Sequence, residues 1–140
     1  MSLPTGVVIK NKERSWYIVV TYNTAVTANT TWGPWVNPAG SNYQITMEVN
    51  VTAVSGTSPS LNVTVDVIDI VTYWMTLYSS GSPSTVVLAS ASTGSITSTG
   101  IYQATLSTSI LPSLISVSAS VGGTSPSFTI SVILYIVEVS

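Results

Sequence analysis

Three runs of this chain alternate apolar and polar residues with a period of two. From Tyr43 to Val54, Ile45, Met47, Val49, Val51 and Ala53 fall on one side, and Gln44, Thr46, Glu48, Asn50 and Thr52 on the other. Leu61, Val63, Val65 and Val67 repeat the pattern against Asn62, Thr64 and Asp66. Phe128, Ile130, Val132, Leu134 and Ile136 repeat it against Thr129, Ser131, Ile133 and Tyr135. Successive side chains of a strand point to opposite faces, so each run predicts a half-buried antiparallel strand. Between such runs stands a segment that occurs twice. Val54 to Val65 reads VSGTSPSLNVTV and Val121 to Val132 reads VGGTSPSFTISV. Gly-Thr-Ser-Pro between two period-2 runs predicts a β-hairpin with a short loop at each copy. Gly56 and Gly123 tolerate the positive φ of a tight turn, while Pro59 and Pro126 fix φ and withhold a ladder donor. The runs that precede the two copies differ in phase by one residue, which predicts a β-bulge in one of them.

The rest of the chain fits the same class. Ser15 to Tyr22 alternates Trp16, Ile18 and Val20 with Tyr17, Val19 and Thr21. Both sides are apolar, as in a strand covered on two faces or lying at a contact. Asn23 to Asn42 is irregular and carries two turn signals, Trp32-Gly33-Pro34-Trp35 and Asn37-Pro38-Ala39-Gly40. Ile68 to Tyr78, with Tyr73, Trp74, Met75 and Leu77, reads as a continuing strand, and Ser79 to Ser84 as a loop. Thr85 to Ser90 is a short strand and Thr93 to Thr99 a loop; Ile101 to Leu106 and Leu114 to Val121 are strands joined through Pro112. The expectation is an all-β fold: an antiparallel β-sandwich, jelly-roll-like, of eight to ten short strands and no helix. Residues 1–14 are expected as an N-terminal arm and residues 15–140 as a single domain, a length that needs no covalent staple.

Charge changes the picture. Lys10, Lys12, Arg14, Glu13, Glu48, Asp66, Asp69 and Glu138 are the only charged residues, 6% of the chain, where a soluble domain has about 25%. Ser and Thr number 44 and take the place of charge on the polar faces. Such a surface titrates little and lacks the repulsion that keeps monomers apart, so it suits a protein working inside an assembly, in an acidic or otherwise harsh medium. There is no Cys, hence no disulfide and no thiolate metal site. There is no His, the commonest general base and metal ligand. Three cations are far too few for a nucleic-acid footprint. No apolar run approaches the ~18 residues of a membrane span, and MSLPTGVVIK has no basic segment followed by an apolar one, so no secretory signal is expected.

All three cations lie between Lys10 and Arg14. Upstream, only Val7, Val8 and Ile9 offer apolar surface, with Pro4 and Gly6 as breakers. Burying three such side chains yields about 5 kcal/mol, whereas fixing a dozen residues costs more than about 10 kcal/mol. The arm is therefore expected to be ordered by a neighbouring subunit, through an added edge strand at Val7 to Ile9 and salt links from Lys10, Lys12 or Arg14.

Candidate chemistry is sparse. Asp66 and Asp69, three apart on a strand, point to opposite faces. Glu48 would come beside Asp66 across the first hairpin, and such carboxylates with neighbouring hydroxyls resemble an oxygen donor set for Ca²⁺. The plainer reading is acids that keep sheet edges soluble, and no metal, cofactor or catalytic residue is assigned. Trp32 and Trp35, in an exposed loop and backed by several Tyr, suit either subunit contact or recognition of a surface glycan. Asn29-Thr30-Thr31, Asn50-Val51-Thr52 and Asn62-Val63-Thr64 match the glycosylation sequon, a match that chance also supplies in a Thr-rich chain.

The pattern apolar-x-Gly-Thr-Ser-Pro-Ser-apolar-x-apolar-x-apolar resembles small β-sandwich virion proteins of tailed phages and related prokaryotic and archaeal viruses, such as head decoration and minor structural proteins. In those proteins such a hairpin leads through a turn to a Trp-bearing strand; here Leu61 to Val67 leads through Asp69 to Trp74. The likeness covers Tyr43 to Leu134. It departs where the family's acidic Asp-Gly turn is replaced by Ile70-Val71-Thr72. The resemblance implies a non-enzymatic capsid, decoration or tail subunit of an extracellular virion, homo-oligomeric and in contact with other virion subunits. The poverty of charge adds the expectation of a hot, acidic habitat. The alternatives are a carbohydrate- or host-surface-binding module of a virion spike, and a self-assembling extracellular filament subunit.

Overall fold

The structure, a computed structural model, describes residues 5–139. It contains seven strands and one helix: β1 (Val8–Lys12), β2 (Ser15–Val26), β3 (Thr30–Val36), β4 (Tyr43–Asp69), α1 (Ile70–Ser80), β5 (Val87–Ser92), β6 (Gly100–Thr108) and β7 (Ser113–Glu138). Every strand pairing is antiparallel. β4 and β7 are 27 and 26 residues long and pair with each other from end to end, from Tyr43 opposite Glu138 to Asp69 opposite Ser113. The other strands flank this ribbon. The first half of β4 takes β6 and its second half takes β5. The second half of β7 takes β2, with β1 outside it, and its first half takes β3.

The two GTSPS copies do not close hairpins. Val54 pairs with Phe128, and Leu61 with Val121, so the strands on either side of each copy pair with the other long strand instead of with each other. The copies lie side by side in mid-ribbon: Ser55 is opposite Ser127, Thr57 opposite Thr124 and Ser60 opposite Gly122. Gly56 (φ +110°), Ser58 (φ +48°), Gly123 (φ +106°) and Ser125 (φ +48°) all leave the extended region there. At about 3.4 Å per residue a straight strand of this length would run about 90 Å. Instead both halves feed one core. Ile45, Met47, Val49 and Val51 share it with Leu61, Val63, Val65 and Val67, and Ile115, Val117 and Ala119 share it with Phe128, Ile130, Val132, Leu134 and Ile136. The repeated segments are thus paired corners at which the ribbon curls over its own apolar face. The expected bulge is present, as a register shift between Val51 and Ala53 that brings Val54 back toward the core.

The loop after β5 completes the core. Leu61 and Ile96 exchange backbone hydrogen bonds (2.9 and 2.7 Å), and Ile96 is fully buried.

Two further expectations are corrected. Val8–Lys12 does form an edge strand, but on the chain's own sheet: Val8 is opposite Ile18 and Ile9 opposite Tyr17, and Gly6 N–H donates to Val19 O (2.8 Å). Val8 packs against the core, and Arg14 Nη2 lies 3.8 Å from Glu138 Oε1 of the same chain. The ladder to β2 supplies the order that three apolar side chains do not. Of the expected arm, residues 1–4, including the breaker Pro4, lie outside the described residues. The second correction is α1, where a strand was expected. Asp69 caps it, accepting from Val71 N–H and Thr72 N–H (3.3 Å each), and Gly81, left-handed at φ +78°, ends it with its N–H on Leu77 O. Thr72, Thr76, Ser79 and Ser80 recur at i, i+4, i+7 and i+8, a helical period, and together with the start and stop residues they were the usable signal.

Candidate functional site

What distinguishes this molecule is apolar surface that its own fold leaves uncovered. α1 is the clearest case. It carries no charged residue and buries none of its side chains. Its inner side is partly occupied: Thr76 Oγ1 donates to Thr72 O (2.7 Å) and accepts from Ser84 N–H (2.7 Å), which holds the returning loop along it. Val71, Trp74, Met75 and Tyr78 recur at i, i+3, i+4 and i+7 and are 62, 42, 65 and 83% exposed. The Trp74 and Tyr78 rings are neighbours, with centroids 6.1 Å apart. An apolar helix face is ordinarily packed against the rest of a fold, and this spacing is that of a helix seated in a partner's groove.

A second apolar area covers the outer face of β1, β2 and the second half of β7. Residues of β2 alternate, so Ile18 and Val20 enter the core while Tyr17, half-buried, and Val19, buried at 7% exposure, lie on the other side. Register places Tyr17 between Ile9 and Tyr135, and Val19 beside Ile133. The Tyr17 and Tyr135 rings stack at 4.7 Å. This is the strand whose two sides are both apolar in sequence.

Sheet edges form the third feature. Among the described residues, strands β3, β5 and β6 each pair on one side only, and they contain no charged residue, whereas β1 ends in Lys10 and Lys12. Charge on an edge strand discourages strand addition, so three of the four edges lack that protection.

The sequence-derived candidates fall as follows. Val7, Lys10, Lys12 and Arg14 are exposed, and Val8 and Ile9 half-buried. Trp32 and Trp35 are not on an exposed loop. They belong to β3, where a bulge between them sets them opposite Val117 and Ile115, and both indoles pack against the core. Trp35 Nε1–H also donates to Gly6 O (2.9 Å). Gly56, Pro59, Gly123 and Pro126 sit at the paired corners. A Cβ on Gly56 would lie 2.8 Å from Pro126 Cα, and one on Gly123 3.0 Å from Pro59 Cα.

The carboxylates do not gather. Glu48 pairs across to Gln103 and Asp66 to Ser90 and Ser116, on different halves of β4, because the hairpin that would have joined them does not form. Among the described residues no group of three or more His, Cys, Asp or Glu could hold a metal ion. Asp69 serves α1 as its cap, and hydrogen bonds from Thr72 and Val71 hold its carboxyl below the usual range; burial pushes that of Asp66 up. Tyr43, fully buried, donates to Ile110 O (3.0 Å) beside Ser113 and Asn37, and burial raises its phenol above the usual value. Each of these groups has a structural partner or a structural reason for its shift. Of the sequon residues, Asn50 stands exposed on β4, and Asn29 Oδ1 accepts from Val121 N–H (2.9 Å).

No described helix is long and apolar enough to cross a membrane. No protein-family model matches this chain, and no curated protein and no solved structure matches it.

Proposed function

We propose that this chain is a non-enzymatic structural subunit that acts through contacts with copies of itself and with other subunits of an assembled particle. The single observation that carries the reading is α1, an uncharged helix with Val71, Trp74, Met75 and Tyr78 turned to solvent. An isolated chain gains nothing by holding such a stripe in water. A subunit that buries it on assembly gains a hydrophobic anchor. The uncharged edges of β3, β5 and β6 support the same reading. The proposal extends to the architecture. The five short strands and the two halves of each of β4 and β7 make nine segments around one core, which fits a jelly-roll-like sandwich. The near absence of charge favours a virion, as a capsid, decoration or tail component, over other particles; the resemblance adds less, since its hairpins are corners here and its Trp-bearing strand is α1.

A filament subunit is the second reading, favoured by the unguarded edges. The spike-module reading loses the exposed Trp32 and Trp35 on which it was built.

Sedimentation velocity over a hundredfold range of protein concentration tests the proposal. Concentration-dependent association, with ordered particles or polymers in electron micrographs, is the expected result. A chain that stays monomeric throughout, and adds to no particle from its source, would overturn it.

A further inference from the structure

The chain carries an uncovered apolar stripe on α1 and a partly exposed apolar face on β1, β2 and β7, and we infer that they are the two halves of one interface: α1 of one copy seats on the sheet face of the next. The inference rests on the structural-subunit reading above and specifies its contact.

Three observations choose a second copy as the occupant. The first is area. A whole aromatic side chain offers roughly 150–250 Å², so the exposed parts of Trp74 and Tyr78 with Val71 and Met75 approach roughly 500 Å², more than half of the ~800 Å² per partner in a stable interface. The second is chemistry. The stripe has no charge and few polar atoms, and the sheet face offers Val7 and Ile133, 47% and 37% exposed, with the half-buried Ile9, Tyr17 and Tyr135 between them. Stacked Tyr17 and Tyr135 give that face a flat aromatic centre for the Trp74 and Tyr78 rings to meet. The third is charge. The chain's only cations sit on and just after β1, at the border of the sheet face, with Arg14 beside Glu138 and Lys10 and Lys12 exposed, while the helix begins at a half-buried carboxylate, Asp69. Docking with the α1 N-terminus toward β1 sets the two signs together.

An interface made of two different patches is heterologous, so each copy offers one of each and the contact propagates into a ring or an open polymer. An isologous contact, α1 against α1, would stop at a dimer.

Two variants separate these cases. Trp74→Gln with Met75→Gln removes the stripe and keeps good helix formers. Ile133→Thr with Tyr135→Thr removes the face and keeps strand formers. Each is checked by circular dichroism and denaturant unfolding, and Tyr17→Thr replaces the second if that variant fails to fold. Each alone should associate at least tenfold more weakly than the wild type. Mixed at equal concentration, they should form a one-to-one complex that grows no further, because one supplies an intact helix and the other an intact face. If the sheet-face variant associates like the wild type and the helix variant does not, the contact is α1 on α1 and the inference falls. Wild-type-like association of both variants also overturns it. A monomeric wild type overturns the structural-subunit reading itself.

Discussion

Gly56 lies against the carbonyl of Ser125, so closely that a Cβ built on it would sit 2.7 Å from that oxygen; a Cβ on Gly123 would meet the carbonyl oxygen of Ser58 at 2.6 Å. The reciprocity follows from the antiparallel pairing of the two repeated segments, which makes each copy the wall of the other. With φ at +110° and +106°, neither position accepts a β-branched residue.

Gly56→Val and Gly123→Val should therefore each cost about 2–5 kcal/mol, from left-handed strain and from contact with backbone that cannot yield. Gly40→Ala is the control: its nearest neighbour would be Glu138 Oε1 at 3.5 Å, an ordinary contact. Urea unfolding measures all three. Wild-type stability in either Val variant would show that the ribbon turns its corner without these glycines.

Trp32→Ala and Trp35→Ala should each lower stability by about 2–4 kcal/mol, since both indoles pack on the core. The loss should appear in dilute monomer, where no subunit contact contributes. A pure binding role would leave monomer unfolding unchanged.

Removing residues 1–14 should leave a folded chain, with a strand-type circular dichroism spectrum, but a stability lower by about 2–4 kcal/mol as the packing of Val8 and Ile9 is lost. The truncation also bares the edge of β2, so it should aggregate more readily than the full chain. An unchanged unfolding midpoint would mean that β1 contributes no stability to the sheet.

Asp66 and Asp69 work in opposite directions with pH. The folded-state pKa of Asp66 is raised above its ordinary 3.8 by burial, so the folded chain holds that proton more tightly than the unfolded one. Lowering the pH through the raised value thus favours folding at this site, and at neutral pH the ionised group opposes it. Asp66→Asn should raise the melting temperature at pH 7, and the gain should shrink as the pH falls toward 3.8. Asp69 is depressed by its hydrogen bonds, so its contribution is present above 3.8 and is lost as the pH falls through the lower folded value. Asp69→Ala should lower helix content at neutral pH and have less effect in strong acid. Melting curves followed by circular dichroism at several pH values read both.

Burial with a period of two is a local property, and the alternation alone determined it. Ile45, Met47, Val49, Val63, Val65, Val67, Ile130, Val132, Leu134 and Ile136 are all fully buried, as their spacing requires. The one-residue phase difference between the two repeated segments likewise announced the bulge after Val51. Which strand pairs with which is not local. Gly-Thr-Ser-Pro fits a hairpin loop as well as a corner, and only the end-to-end match of β4 with β7 decided that the two copies meet each other. In Ile70 to Ser80 the polar residues Thr72, Thr76, Ser79 and Ser80 recur at i, i+4, i+7 and i+8, so the helix was legible locally as a period. Asp69 and Gly81 cap it locally, but the stripe of Val71, Trp74, Met75 and Tyr78 stands exposed because none of the described residues packs over it. Trp32 and Trp35 show the same limit: three positions apart, they would face opposite ways on a regular strand, and the bulge between them, which turns both to the core, exists through pairing with Ile115 and Val117.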